Sequence, residues 1–169
     1  MSAHNARINA GESSEWDLVM TREFDAPREL VFKAWTDARH LAQWWGPKGF
    51  TSPVCELDVR VGGAIRIHMR APNGVVYPMT GVFEEIAAPE RLVFVGSALD
   101  DKGKSMFDIR NVVSFVEQRG KTVLTLQARV ITATAQAPQY LQGMEMGWTQ
   151  SLERLGAYLQ SAQGLPAHG

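Results

Sequence analysis

The periodicity of the apolar residues changes once along this chain, and that change constrains the fold more than any other feature. From Thr51 to Ile131 apolar and polar side chains alternate in short runs, which is typical of antiparallel strands with one buried face. Near residue 141 the spacing becomes three or four, which predicts a helix with a single apolar stripe at Leu141, Met144, Trp148, Leu152, Leu155 and Leu159. We therefore predict an α+β fold in which a sheet packs against one long C-terminal helix.

Turn signals divide the alternating region into six strands. Glycine-containing turns are expected at Gly62–Gly63 and at Asn73–Gly74, and an Ala-Pro-Glu turn at 88–90. A charged loop at 100–105 and a short connection at 118–121 separate the last strands. With a further apolar-rich strand before residue 25, the predicted sheet has about seven antiparallel strands.

Two short helices are predicted after the first strand. Asp25 is expected to cap the first helix and Pro27 to occupy its first turn, since aspartate accepts hydrogen bonds from free N–H groups and proline has none to lose. Thr36 and Asp37 offer a cap for the second helix, predicted from Ala38 to about Trp44. The Gly-Pro pair that follows ends it.

Length and composition indicate one domain. We expect a flexible tail at 1–14, a single domain at 15–161 and a flexible tail at 162–169. The formal net charge of −1 argues against a broad nucleic-acid surface, which needs an excess of basic residues. No apolar stretch approaches the roughly 20 residues of a membrane span, so stable membrane insertion is not expected. The single cysteine, Cys55, fits a cytoplasmic protein, and we interpret it as a small core residue rather than a nucleophile.

Several short motifs occur in an order that resembles a known family. The chain is similar to the helix-grip superfamily of START, SRPBCC and birch-pollen-allergen-like proteins, and more narrowly to the family related to the C-terminal domain of the heat-shock-protein-90 ATPase activator. The resemblance covers roughly residues 16 to 160. The motifs that carry it are 22–27 (REFDAP), 31–37 (VFKAWTD), 41–47 (LAQWWGP), 58–63 (DVRVGG), 72–74 (PNG), 81–86 (GVFEEI), 89–94 (PERLVF), 147–148 (GW) and 152–155 (LERL).

The resemblance implies a helix-grip fold, in which a curved sheet wraps round the C-terminal helix. Members of the superfamily bind lipids, sterols, flavonoids or polyketides, and some catalyse cyclisation. Homodimers are compatible with the narrower family. Chaperone activators in it carry a separate N-terminal domain that this short chain does not have room for.

A cavity is expected where the helix fails to cover the sheet. A helix is only ~10–12 Å wide and cannot fill a broad curved sheet alone, and apolar cavities at such places are typical small-molecule sites. We therefore predict a site for a hydrophobic or aromatic ligand, lipid-, flavonoid- or polyketide-like. Its predicted apolar lining is Trp45, Phe50, Met69, Met79, Phe83, Phe94, Met144 and Trp148.

The predicted lining residues have an alternative interpretation, because a filled core uses the same types of side chain. Trp44 and Trp45 are adjacent, so one of them is expected to point toward the cavity while the other packs in the core. Met144 and Trp148 on the helix suit either role. The sequence alone leaves these alternatives open.

Polar chemistry in the predicted cavity rests on His68 and Tyr77 as candidate anchors. His68 alternates with the apolar face, so a regular strand directs it outward, and only a β-bulge would turn it into the cavity. No metal-ligand spacing, nucleophile motif or cofactor motif is present, so no catalytic residue, metal or cofactor is predicted. Two alternatives to ligand binding remain: a cyclase- or hydrolase-like enzyme, and a chaperone-associated interaction module.

Overall fold

The computed structural model of the chain describes residues 7–9, 15–133 and 143–164, and the side chains of 17–132 and 143–161. The helices are α1 (Arg28–Thr36), α2 (Ala38–Trp44) and α3 (Met144–Gly164). The strands are β1 (Arg7–Asn9), β2 (Glu15–Phe24), β3 (Thr51–Leu57), β4 (Ala64–Arg70), β5 (Val76–Ala87), β6 (Arg91–Leu99), β7 (Ser105–Gln118) and β8 (Lys121–Ala133).

One antiparallel sheet of eight strands contains all of these in the order β1-β2-β8-β7-β6-β5-β4-β3. The seven predicted strands, β2 to β8, are confirmed. The additional strand, β1, is three residues long and pairs with the start of β2, inside the segment predicted as an N-terminal tail. The rest of that segment, 1–6 and 10–14, lies outside the described residues. So short an element leaves no periodic signal in the sequence.

Helices α1 and α2 carry the chain from β2, near one edge of the sheet, to β3 at the other edge. The prediction that Asp25 caps α1 is wrong: the helix begins at Arg28, and Pro27 is its N-cap without a side-chain cap bond. The prediction for α2 is confirmed, because Asp37 accepts a 2.9 Å hydrogen bond from the Arg39 N–H at its N-terminus. Helix α2 ends at Trp44 as expected.

The predicted Gly62–Gly63 hairpin turn is in fact a six-residue loop, 58–63, between β3 and β4. The loop folds back on itself: the Gly63 N–H donates to the Arg60 carbonyl at 2.8 Å. A Cβ atom at Gly63 would lie 1.9 Å from the Asp58 carbonyl oxygen. The second glycine is therefore required by the close approach of two backbone segments rather than by a two-residue turn.

The sheet curves round α3, and irregular register helps it to do so. The pairing shifts in β3, in β5 between Phe83 and Glu85, and in β6 and β7 near Leu99 and Ile109. Such bulges increase the local twist and bend a strand. On the concave face, the apolar stripe of α3 is buried at its centre through Leu152, Leu155 and Leu159, as the helical spacing predicted. Leu141, predicted on the same stripe, lies outside the described residues.

Helix α3 continues to Gly164, into the segment predicted as a C-terminal tail, and 165–169 lie outside the described residues. Within the described part of the chain, no helix is both long enough and apolar enough to cross a bilayer.

Candidate functional site

A cavity of about 320 Å³ lies between the first half of α3, the loop that follows α2, and strands β4 to β7. Its wall is mostly apolar. The lining residues are Trp45, Gly46, Pro47, Met69, Tyr77, Pro78, Met79, Gly96, Ser97, Ala98, Phe107, Ile109, Asn111, Gly143, Met144, Gly147, Trp148 and Ser151. The volume is at the low end of the ~300–1,000 Å³ that is usual for small-molecule pockets.

The structure brings most of the predicted lining residues to this cavity. They are Trp45, Met69, Met79, Met144 and Trp148, together with the predicted anchor Tyr77. Met69 and Tyr77 are register partners on neighbouring strands, so their side chains share the concave face of the sheet. Tyr77 is 39% exposed, which places it at the mouth.

Three predicted lining residues lie elsewhere. Phe83 and Phe94 are directly paired across β5 and β6, are 2% and 3% exposed, and face a second void of only about 10 Å³. They belong to the filled core, because Trp35 of α1 and Leu41 of α2 line the same small void and close over them. Phe50 is half-buried, and its ring centroid lies 6.1 Å from that of Tyr77. It therefore packs beside the mouth without lining the cavity.

Trp45 and Trp148 form an aromatic corner on one side of the cavity, with their rings nearly perpendicular. Their rings meet edge to face with centroids 5.3 Å apart, and Trp35 stacks on the far side of Trp148 at 5.8 Å. Such offset and edge-to-face pairs hold aromatic rings in fixed orientations. These contacts hold both rings in place on the cavity side.

The adjacent tryptophans separate because the helix ends between them. Trp44 is the last residue of α2 and is fully buried, with its indole N–H donating to the Ala34 carbonyl at 3.0 Å. Trp45 follows with extended backbone (ψ 132°), which turns its side chain to the cavity. Both rings are buried, so the difference between them is direction rather than exposure.

Helix α3 holds the loop after Trp45 in place through polar contacts. Arg154 donates from one guanidinium nitrogen to the carbonyls of Trp45, Gly46 and Pro47 at 3.0–3.1 Å, and from the other to Gln43. The Ser151 hydroxyl accepts from the Gly46 N–H at 3.1 Å. Burial lowers the pKa of the Arg154 guanidinium below its ordinary value, but it remains charged at neutral pH. One side of the cavity is thereby fixed to the helix.

Two glycines make room for the cavity. A Cβ atom at Gly96 on β6 would lie 2.8 Å from Cε of Met79, so glycine allows that methionine to lie across the strand. A Cβ atom at Gly147 on α3 would meet only Cγ of Pro47, at 4.0 Å. A larger side chain at 147 would accordingly extend into open volume.

The most unusual residue in the wall is Asn111, on β7. It is 3% exposed, its amide nitrogen donates to the Ile109 carbonyl at 3.3 Å, and its amide oxygen is buried without a hydrogen-bond partner. Its cross-strand neighbours are Phe94 and Ala128, both buried and apolar. A buried acceptor without a partner is uncommon in proteins and calls for an explanation.

A second polar group borders the cavity near its sheet side. Asp108 accepts hydrogen bonds from the hydroxyls of Ser97, Ser105 and Thr132. Burial raises the pKa of this carboxyl, but the three hydroxyl donors outweigh that effect, and the net pKa lies below its ordinary value. Ser97 lines the cavity, and its hydroxyl hydrogen is already donated to Asp108.

Other candidate groups for chemistry lie away from the cavity. His68 is half-buried opposite Val54 and Pro78, on the face of β4 opposite to Ile67 and Met69, so the bulge that would turn it inward does not occur. Burial raises the pKa of the Cys55 thiol to about 11, and Cys55 packs against the core. Among the described residues, no cluster of three or more His, Cys, Asp and Glu side chains could hold a metal ion.

Sequence reasoning missed several lining residues, and for two of them a signal was present. Asn111 interrupts the inward positions of β7, because Ile109, Val113 and Phe115 on the same parity are all buried. A single polar residue in such a series indicates a polar group inside the sheet. Gly147 belongs to a series of small residues spaced four apart, Gly143, Gly147 and Ser151, and such a series can leave space beside a helix. No sequence signal marked Pro47 or Phe107.

The curved antiparallel sheet closed by one long C-terminal helix, with a cavity between them, defines a helix-grip domain. Such folds are known for ligand binding. The chain belongs to the family described as activator of Hsp90 ATPase homolog 1-like proteins, because the family model matches residues 25–160. No curated protein matches the chain in sequence.

Solved structures from bacteria agree with this assignment. An AHSA1 protein from Silicibacter pomeroyi is 28% identical, covers 86% of this chain and 99% of its own, and superposes with a TM-score of 0.73. A Chromobacterium violaceum protein is 29% identical, with coverages of 85% and 96% and a TM-score of 0.74. An Arthrobacter aurescens protein is 25% identical, with coverages of 92% and 92% and a TM-score of 0.76.

Proposed function

We propose that this protein binds a hydrophobic or aromatic small molecule, of lipid-, flavonoid- or polyketide-like chemistry, in the cavity between α3 and the sheet. The observation that carries the proposal is the apolar cavity of about 320 Å³ with its fixed wall of Trp45 and Trp148. Apolar surface removed from water contributes roughly 25 cal/mol per Å². Flat aromatic side chains suit planar ligands, and Met69, Met79 and Met144 adapt to ligand shape.

Catalysis is less well supported than binding. Of the described residues that line the cavity, Tyr77 is the one titratable group, and it lies at the exposed mouth. A general acid or base needs a titratable group within hydrogen-bond reach of the reacting atoms. We therefore do not assign an enzymatic step. A chaperone-associated role and homodimerisation remain predictions from the family.

A thermal-shift screen against small aromatics, flavonoids, sterols and fatty acids tests the proposal. A ligand that binds only the native state stabilises it by about 2.7 kcal/mol at a hundredfold excess over Kd. For a domain of this size that corresponds to a rise in Tm of roughly 5–11 °C. Trp45 and Trp148 provide an independent readout, because a bound ligand changes their fluorescence.

A cavity-filling variant shows where the ligand binds. Gly147→Leu places a side chain in the open volume beside Pro47 and should abolish the shift while the protein stays folded. The matched control is Ala157→Leu, at an exposed position of the same helix, which should leave the shift unchanged. A screen without any saturable shift, or a shift that survives Gly147→Leu, contradicts the proposal.

A further inference from the structure

The unpartnered amide oxygen of Asn111 allows the ligand class to be narrowed. We infer that the ligand of this cavity is a neutral molecule whose apolar body carries a hydrogen-bond donor, a phenol or alcohol hydroxyl or an N–H, and that Asn111 accepts from it. This inference rests on the proposed function, because it concerns the same cavity.

The free polar atom of Asn111 is an acceptor rather than a donor. Its Nδ2 atom donates to the Ile109 carbonyl at 3.3 Å, and that carbonyl requires a donor. The reverse orientation of the amide would place two oxygens against each other. The Ile109 carbonyl therefore fixes the orientation, and the free polar atom of Asn111 is its Oδ1.

Among the described residues of the wall, none already satisfies this oxygen. Asn111 is 97% buried, its Oδ1 has no partner, and its cross-strand neighbours Phe94 and Ala128 offer no side-chain donor. Ser97 and Ser151, the two hydroxyls of the wall that are buried or half-buried, already bond to Asp108 and to the Gly46 N–H. Asn111 lines the cavity, and the χ2 torsion of asparagine has a broad energy well, so the proposal includes a rotation that turns Oδ1 toward the ligand.

The charge of the cavity wall also limits the ligand class. The described residues that line the cavity include no lysine, arginine or histidine. A carboxylate in this cavity would lose its hydration without gaining a cation, and its oxygens would face the Asn111 carbonyl as a second acceptor. The cavity therefore favours a neutral phenol or alcohol over an ionised fatty acid of similar size.

A series of bicyclic aromatics tests the inference by isothermal titration at neutral pH. Naphthol carries a hydroxyl donor, methoxynaphthalene keeps the oxygen without the donor, naphthoate is an anionic acceptor, and naphthalene has no polar group. We expect naphthol to bind at least about tenfold more tightly than methoxynaphthalene, and naphthoate to bind more weakly than either. This comparison uses the unaltered protein and so does not depend on any variant.

Asn111→Leu then assigns the preference to one side chain. This variant should lose most of its affinity for naphthol and keep that for methoxynaphthalene, so that the ratio of the two affinities approaches one. Gln127→Leu, the same change of amide to leucine at an exposed position of β8, should leave the ratio at its original value.

The outcomes separate this inference from the proposed function. If all four compounds bind with similar affinities and Gly147→Leu abolishes their binding, the cavity binds ligands but the role of Asn111 is refuted. A preference for naphthol that persists in Asn111→Leu refutes it as well. If neither the bicyclic series nor the screen yields binding, both proposals fail together.

Discussion

Arg154 offers the sharpest test of how the cavity is held together. Its guanidinium donates to four backbone carbonyls, those of Gln43, Trp45, Gly46 and Pro47, at 3.0–3.2 Å. These carbonyls lie at the C-terminal end of α2 and just beyond it, where helical hydrogen bonding has run out. Replacing the residue by methionine keeps most of the aliphatic stem and removes every donor.

The magnitude follows from the geometry. A hydrogen bond from a charged donor contributes about 1.5–3 kcal/mol. One guanidinium nitrogen donates to three of the carbonyls and the other to the fourth, so we count two effective hydrogen bonds. We reduce their summed free energy because Arg154 is only half-buried, and water can replace part of the lost hydrogen bonding. Arg154→Met should therefore lower the free energy of unfolding by about 2–3 kcal/mol, which is a fall in Tm of roughly 4–12 °C.

Urea unfolding followed by circular dichroism and tryptophan fluorescence measures this change. Arg154→Lys should recover only part of the loss, since an ammonium lacks the planar fork of the guanidinium. Glu153→Gln is the neighbouring control: it removes an exposed 3.2 Å ion pair with Lys48 and should cost less than about 1 kcal/mol. If Arg154→Met unfolds within about 0.5 kcal/mol of the original protein, the contacts do not hold the loop and the reasoning is refuted.

Four further predictions test separate parts of the structure. Gly147→Ala should raise the free energy of unfolding by up to about 1 kcal/mol in thermal melts, because its Cβ atom meets only Pro47 and alanine favours helix; a decrease would show that the cavity is closed there. Asn111→Leu should stabilise the ligand-free protein by about 1 kcal/mol in urea unfolding, since relief of the buried acceptor exceeds the lost bond to Ile109; destabilisation would mean that the oxygen has a partner. Cys55, with its pKa raised by burial to about 11 from 9.0, should react with Ellman's reagent at pH 8 at least roughly tenfold more slowly than an ordinary thiol, because a smaller thiolate fraction is only partly offset by the higher nucleophilicity of the thiolate; rapid reaction would contradict its burial. Asp108→Asn should destabilise by about 1 kcal/mol at neutral pH, and because the folded-state pKa is depressed, this difference should shrink as the pH falls below 3.8, a trend that chemical denaturation at several pH values can confirm or refute.

The sequence alone predicts the architecture, because the apolar residues follow the period of a strand in one region and that of a helix in the other. Alternation with a period of two identified β3 to β8, and the stripe at Leu152, Leu155 and Leu159 identified α3. The sequence does not predict those boundaries of strands and loops that depend on hydrogen bonds rather than on periodicity. β1 and the six-residue loop at 58–63 depend on which distant backbone groups meet, and no local pattern encodes that.

The candidate site was predictable in part for the same reason. Parity along a strand placed Met69 and Met79 on the concave face, and the helical stripe placed Met144 and Trp148 opposite them. The alternation along a strand predicts which face of the sheet a residue lies on. It does not predict which part of that face α3 covers. Phe83 and Phe94 share that face with Met79 and are buried in the core instead, because α1 and α2 close over their end of the sheet.

At two positions of the cavity wall, Gly147 and Asn111, another residue would make the protein more stable. A glycine within a helix costs up to about 1 kcal/mol relative to alanine, and Gly147 has no close neighbour that requires it. A buried acceptor without a partner costs about 1–3 kcal/mol, and Asn111 carries one. Together these are a sizeable part of the 5–15 kcal/mol that typically stabilises a domain.

Both costs fall on the same cavity, and that coincidence separates a binding site from an imperfectly packed core. A packing defect would be relieved by alanine at 147 and leucine at 111, and neither change would alter any property except stability. A binding site predicts the same gain in stability, but together with a loss of ligand affinity when leucine replaces Asn111. The two variants therefore test one explanation: local rules of helix propensity and polar pairing are broken at Gly147 and Asn111 because a ligand supplies what the chain leaves unfilled.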